Sequence, residues 1–262
     1  MLDYNNFIKQ QEERIVVTLT SYKKRIRSVV DTLISLKNQS KQAYKIVLNL
    51  ATDEFPKKEK ELPDSLLNFK EDCPTFEIFW VKENVTFFKK LIPTLKRYPN
   101  DIVITTDDDI IYPEDFIESL YKTYLVTGKK HPVTSGKYTW NRGINSHFGS
   151  GSLVKLCFFG DKLYELYDKL TYPLIKNKIQ CFDDVLYTYA ILLNDNYYVY
   201  CDNGLSDIWE VTRNKQEDAF TKFGDNKQEK EFQEYHKEIM KYIIKTYNKT
   251  YADLCKRKQI II

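Results

Sequence analysis

The run Ile102-Val103-Ile104-Thr105-Thr106 leads directly into Asp107, Asp108 and Asp109, and this junction limits the possible folds more than any other stretch of the chain. An unbroken β-branched run offers no polar face to water. It therefore predicts a strand covered on both sides, as in a parallel sheet with helices on both faces. Carboxylates cannot follow it unpaired into an apolar interior. The strand must emerge there, which puts three acids at its carboxyl end, the edge at which open α/β sheets bind ligands.

The neighbouring segments fit the same frame. Residues 14–20 and 45–51 read as buried strands, and residues 76–81 as a third. Ile26, Val29, Val30, Leu33 and Leu36 recur at helical spacing after the first strand. Residues 87–98 predict a helix with Pro93 in its first turn or at a kink. Another helix should start at Pro113, with Glu114 and Asp115 in its first turn, and stop at Gly128. Alternating strands and helices indicate a mainly parallel sheet. From residue 131 to 152 glycines and polar residues predict a substrate-facing loop system in place of packed elements. Helices follow around Leu163, Leu166, Tyr167 and Leu170, and after Cys181-Phe182-Asp183-Asp184, where Asp183 or Asp184 can cap. A strand at 197–201 comes next. Phe232, Tyr235, Ile239, Tyr242 and Ile243 form the apolar stripe of a late helix expected to pack on the main domain.

Composition narrows the function classes. Lys and Arg total 40 against 37 Asp and Glu, for a formal net charge of +3, too weak a field to argue for a nucleic-acid partner. The 20 Tyr and 15 Phe supply large apolar area and flat faces for bases or sugars. The cysteines, Cys73, Cys157, Cys181, Cys201 and Cys255, are scattered without a C-x-x-C pair, which fits reduced thiols in a cytoplasmic protein. The first residues show no apolar run after a basic start, and no stretch approaches the roughly 18 apolar residues of a spanning helix. The expectation is a cytoplasmic protein that neither enters the secretory path nor spans a membrane.

The three aspartates point to a cation. If strand geometry persisted through the motif, Asp107 and Asp109 would share one face and Asp108 the other. Two such charges about 4 Å apart repel by about 4 kcal/mol at an effective dielectric near 20. A hard divalent ion, Mg²⁺ or Mn²⁺, relieves that repulsion and often completes its shell with substrate phosphate. A calcium loop would require a glycine that does not follow Asp109. A phosphatase aspartyl nucleophile belongs after the first strand, whereas this cluster follows the fourth.

With Thr20-Ser21-Tyr22-x-x-Arg25, Lys89-Lys90-Leu91-Ile92-Pro93-Thr94-Leu95, the segment from Ile104 through Asp107-Asp108-Asp109 to Pro113, and Phe182-Asp183-Asp184-Val185 in this order, the chain resembles the GT-A class of glycosyltransferases, most closely a bacterial family-two-like branch. The resemblance covers about residues 14 to 205. It implies an α/β fold of GT-A type, with a Rossmann-like, mixed and mainly parallel sheet flanked by helices, and a C-terminal helical segment. The implied division is a leader at 1–14, a catalytic domain at 15–205 with a donor half at 15–112 and an acceptor half at 113–205, and a helical extension at 206–262.

The same resemblance implies a nucleotide-diphosphate sugar as donor, UDP favoured, and a D-x-D metal site for Mn²⁺ or Mg²⁺. Asp107, with Asp108, lies nearer the nucleotide, and Asp107 and Asp109 hold the metal, joined by His147 as a late ligand. The loop after the first strand meets the nucleoside through Thr20, Tyr22 and Arg25, and a guanidinium suits a phosphate. Lys89 and Lys90 fall on a helical segment, where lysines are ordinarily solvated; the resemblance brings Lys90 to the nucleotide. Asp183-Asp184 stands where such enzymes carry Glu-Asp, which gives Asp184 the role of base with Asp183 beside it, although Asp-Asp leaves open which one reaches the substrate. A glycan or glycolipid acceptor brings with it possible peripheral contact with the inner membrane surface. Two alternatives stand beside this reading: a sugar-phosphate nucleotidyltransferase, whose Gly-rich basic loop is missing after the first strand, and a non-catalytic carbohydrate-binding protein on the same shell.

Overall fold

A computed structural model describes residues 13–140, 143–146, 148–201 and 226–255. The strands are β1 (Ile15–Thr20), β2 (Lys45–Ala51), β3 (Phe76–Val81), β4 (Ile102–Thr105), β5 (Val133–Thr134), β6 (Lys137–Trp140), β7 (Gly143–Ser146), β8 (Ser152–Val154) and β9 (Val199–Tyr200). The α-helices are α1 (Val29–Lys37), α2 (Asp64–Asp72), α3 (Ile92–Arg97), α4 (Phe116–Val126), α5 (Lys162–Leu166), α6 (Tyr172–Lys176), α7 (Asp183–Leu193), α8 (Asn226–Tyr247) and α9 (Tyr251–Cys255).

Seven strands form one sheet in the order β3-β2-β1-β4-β8-β5-β9, and β6-β7 is a separate antiparallel pair. Every strand of the large sheet runs the same way except β8, which pairs antiparallel with β4 and β5. This is the mixed, mainly parallel sheet flanked by helices that the sequence predicts. The β-branched runs of β1, β2 and β4 are buried almost throughout, as a two-sided cover requires.

Two apolar cores enclose the sheet. One packs Val17, Leu19, Leu48 and Ile104 against Leu33 and Leu36 of α1, Leu66 of α2 and Leu120 of α4. The other packs Val103 and Val154 against Leu95 of α3, Leu163 of α5 and Leu186 of α7. The late helix α8 joins the second core through Tyr235, Ile239 and Ile243, as its stripe predicts.

Three expectations change. The segment at 131–152 is not merely a loop system, because β5 and β8 lie inside the sheet. Their two or three residues are too few to carry a readable alternation. Residues 87–98 break into a 3₁₀ turn at Thr86–Lys89 and α3, with Pro93 in the first turn of α3, where its missing donor costs no helical bond. The polar stretch after β2 contains α2, which is buried at Leu66 and Phe69 with Leu67 packed beside them, among polar and charged residues. Among the described residues no helix is long and apolar enough to cross a membrane.

Candidate functional site

The three aspartates leave the sheet edge in different directions. β4 ends at Thr105; the Thr106 amide still donates to the Thr18 carbonyl at 2.9 Å and the Asp107 amide to the Gly149 carbonyl at 3.1 Å, after which the chain turns. The alternation that would have put Asp107 and Asp109 on one face is therefore absent. Asp108 and Asp109 instead converge on the guanidinium of Arg25, with Nη2 3.1 Å from Asp108 Oδ1 and in contact with Asp109. Asp107 turns the other way, to Lys90 Nζ at 2.5 Å.

Asp108 is the most enclosed of the three. It is buried, and Ser21 Oγ donates to its Oδ2 at 2.5 Å. Burial pushes its carboxyl up to about 6 against the opposing pull of Arg25 and Ser21. The side chains of Asp107 and Asp109 keep 31% and 17% of their exposure. Carboxylates are the donor type preferred by a hard divalent ion that also binds phosphate, but here Asp107 turns to Lys90 and Asp109 to Arg25. Among the described residues no group of three His, Cys, Asp or Glu is placed to hold a metal, so substrate oxygens would have to complete such a shell, and Arg25 and Lys90 would have to yield a carboxylate oxygen each.

Both lysines expected on a solvated helix face are buried. They lie at the junction of the 3₁₀ turn and α3, with Lys89 Nζ 2.7 Å from Glu54 and Lys90 on Asp107. Burial works to lower the Lys90 pKa, but Asp107, Asp183 and Asp184 outweigh it and raise it. Lys90 is thus a fixed cation between the triple aspartate and the pair on α7. Its main chain is held from below: Thr18 Oγ1 donates to the Lys90 carbonyl at 2.6 Å, and Asn49 Nδ2 lies 2.9 Å from Thr18 Oγ1 and 3.2 Å from Thr94 Oγ1.

Asp183 and Asp184 occupy the first turn of α7, where carboxylates complement the helix dipole. Neither caps the helix; Phe182 is the N-cap residue and no side chain bonds there. Asp183 is buried. Asp184 Oδ1 accepts the Phe148 amide at 2.9 Å. Burial pushes Asp184 up to about 7, opposed by the Phe148 amide and Lys90.

The turn that holds Asp184 also holds Asp107. The Gly149 carbonyl accepts both the Asp107 amide and the Tyr112 hydroxyl, the latter at 2.7 Å. A Cβ at Gly149 would stand 1.8 Å from Asp107 Oδ2, so the carboxylate occupies the space a side chain would take. Gly151 is needed for another reason: its φ is +118° and a Cβ would meet Phe116 at 2.4 Å.

The remaining predicted residues fall at the same edge or outside view. Thr20 Oγ1 donates to the Asn49 carbonyl at 2.8 Å. The Tyr22 carbonyl accepts the amides of Arg25 and Ile26, which forms the turn that delivers Arg25. His147 lies outside the described residues. His236 is buried in contact with Tyr189, and burial lowers it to about 4. Sequence reasoning did not assign Ser21, Asn49, Tyr112 or Phe148. Asn49 carried a signal, being a lone amide in an otherwise apolar strand.

No known family's sequence profile matches the chain, and no curated protein matches it. Solved structures share its general layout. A mannosyltransferase from Pyrobaculum calidifontis in complex with GDP-Man and Mn2+ is 16% identical with a TM-score of 0.47, over 72% of this chain and 55% of its own, so the chain spans about half of that enzyme. A galactosyltransferase in complex with donor and acceptor sugar analogs is 12% identical with a TM-score of 0.46, over 71% of this chain and 73% of its own. A 4-diphosphocytidyl-2C-methyl-D-erythritol synthase from Anaerococcus prevotii is 15% identical with a TM-score of 0.46, over 78% of this chain and 92% of its own. These likenesses concern the course of the chain and assign no activity.

Proposed function

We propose that the chain is a glycosyltransferase that moves a sugar from a nucleotide-diphosphate sugar, UDP favoured, to a surface glycan or glycolipid acceptor. The observation that supports it is that Asp109 and Asp107, partly open at the carboxyl end of β4, meet Arg25 and Lys90 respectively, and that the Asp183-Asp184 pair acts on the same Lys90. A diphosphate needs cations on one side and an acceptor hydroxyl needs a base on the other; this arrangement has both. Thr20, Tyr22 and Arg25 take the nucleotide side with Asp107 and Asp108. Lys90 offers a point charge to the leaving diphosphate. Asp184, whose pKa is pushed up to about 7, takes the proton from the acceptor hydroxyl as that oxygen attacks the anomeric carbon. Asp107 and Asp109 would hold Mn²⁺ or Mg²⁺, which when bound would supply charge neutralisation at the diphosphate.

In this reading residues 15–112 form the donor half, 113–205 the acceptor half and 206–262 a helical extension. The protein works in the cytoplasm, with peripheral contact with the inner membrane when the acceptor is a lipid. The test is thermal-shift stabilisation by UDP, GDP, CDP and CMP with and without Mn²⁺, set against Asp109→Ala. A ligand at about 100 times its dissociation constant adds about 2.7 kcal/mol. Metal-dependent stabilisation by one nucleoside diphosphate, lost in the variant, supports the donor site. Stabilisation by CTP or UTP, with pyrophosphate released from the triphosphate when a sugar phosphate is added and attacks its α-phosphorus, would move the assignment to a nucleotidyltransferase. No response to any nucleotide would leave a carbohydrate-binding role.

A further inference from the structure

Tyr112 is buried at 4% exposure, and its hydroxyl lies between two main-chain groups. The Asp107 amide donates to it at 2.9 Å, and it donates to the Gly149 carbonyl at 2.7 Å. The same Asp107 amide reaches the Gly149 carbonyl at 3.1 Å, which closes a three-membered set of hydrogen bonds.

Each side of that set is anchored in a different core. Tyr112 belongs to the first: its ring lies 4.3 Å from that of Phe116, and Ser35 Oγ accepts its amide at 3.1 Å. Phe148, the residue before Gly149, belongs to the second: its ring lies 4.6 Å from that of Tyr187 on α7. The Phe148 carbonyl accepts Thr105 Oγ1 at 2.8 Å and its amide donates to Asp184 Oδ1 at 2.9 Å. The Asp107 main chain thus meets the turn both directly and through the Tyr112 hydroxyl, and the turn meets the Asp184 carboxylate.

We infer that Tyr112 is a positioning residue, whose hydroxyl ties the Asp107 main chain to the Phe148-Gly149 turn so that the carboxylates of Asp107 and Asp184 keep one fixed spacing. It rests on the transferase reading for the meaning of the two carboxylates, donor side and acceptor side, though not for the tie itself. Without the hydroxyl, the Asp107 amide keeps one acceptor and the Gly149 carbonyl loses one of its two donors. The turn then holds Asp184 less firmly, and a displacement of about 1 Å at a reacting group can cost about 100-fold in rate.

Tyr112→Phe removes one oxygen and leaves the ring on Phe116, and two measurements on the full chain read the result. Amide hydrogen exchange at Phe148 should be about tenfold faster in the variant, with the amides of β2 unchanged. Turnover of UDP- and GDP-sugars with Mn²⁺ should show kcat lower by about 30-fold and the donor KM within about twofold. Unchanged exchange at Phe148 overturns the inference whether or not the protein transfers sugar. Faster exchange with unchanged kcat also overturns it, because the turn would then be linked without positioning the base. Faster exchange in a protein that transfers sugar from none of these donors keeps the tie and removes the transferase reading.

Discussion

Lys90 places its ammonium 2.5 Å from Asp107 Oδ1 while its side chain is only 5% exposed. A charge so enclosed depends on its partners, and removing one member of a buried pair commonly costs about 3–5 kcal/mol. Lys90→Asn would leave room for water; Lys90→Met fills the space without charge. The methionine variant should lose about 3 kcal/mol in urea unfolding and bind nucleoside diphosphate about tenfold more weakly by calorimetry. Retained affinity would remove Lys90 from the diphosphate site.

Gly149→Ala is expected to act on a neighbour. The new methyl would meet Asp107 Oδ2 at 1.8 Å, and the carboxylate, at the end of a short side chain, is the group that must move. Nucleotide affinity should fall about 100-fold, while stability falls by about 1–3 kcal/mol, the usual cost of overpacking. Matched titration and urea unfolding of the same preparation check this. Equal affinity in both proteins would mean that Asp107 need not occupy its present position to bind ligand.

Asn49 is buried and its amide nitrogen contacts the Thr18 hydroxyl, the Thr94 hydroxyl and the Lys90 carbonyl. Asn49→Leu keeps the volume and strips those bonds, at a cost of about 2 kcal/mol. The lysine main chain then loses part of its support, so UDP should bind more weakly whereas uridine, which lacks phosphate, should bind as before. Equal losses for both ligands would indicate general damage to the sheet edge.

The pH dependence follows from Asp184, pushed up to about 7 by burial. As a base it must be ionised, so the transfer rate should rise through about pH 7 and level off above it. Stability runs the opposite way. An unfolded aspartate titrates near about 3.9, and the folded chain holds this proton more tightly, so the contribution is complete below about pH 4 and is lost as pH rises to about 7. Subtracting the urea stability of Asp184→Asn from that of the wild type across pH 4–8 (about) isolates the contribution. A difference that stays flat over that window would mean that Asp184 is ionised throughout.

The parts of the fold that could be read from sequence are those where one physical signal dominates. β2 and β3 have the predicted bounds because their apolar runs stop at polar residues. α8 was readable because Tyr235, Ile239 and Ile243 repeat at helical spacing. β5 and β8 were not, since two or three residues in a strand are fixed by their neighbours in the sheet and not by their own pattern. The candidate site divides in the same way. Carboxylates at a strand end are visible in the letters, and the structure brings Arg25, Lys90, Asp183 and Asp184 to the same edge. Which oxygen meets which cation depends on the turn after Thr106, and the burial of Lys90 depends on where the 3₁₀ turn hands over to α3. Periodicity reports neither.

α8 also sets an order of events during synthesis. Residues up to Val126 already contain β1 to β4 and the helices that pack on them in the first core, whereas Asp107 is not placed until the Phe148-Gly149 turn has been made. The core beneath Asp183 and Asp184 closes only when Tyr235, Ile239 and Ile243 have left the ribosome, a delay of some seconds at ordinary rates of elongation. For that interval a nascent chain has the strand edge that carries Asp107 to Asp109 without a settled core beneath Asp183 and Asp184, and a ribosome stalled before Ile243 would display an apolar surface of the kind that chaperones bind.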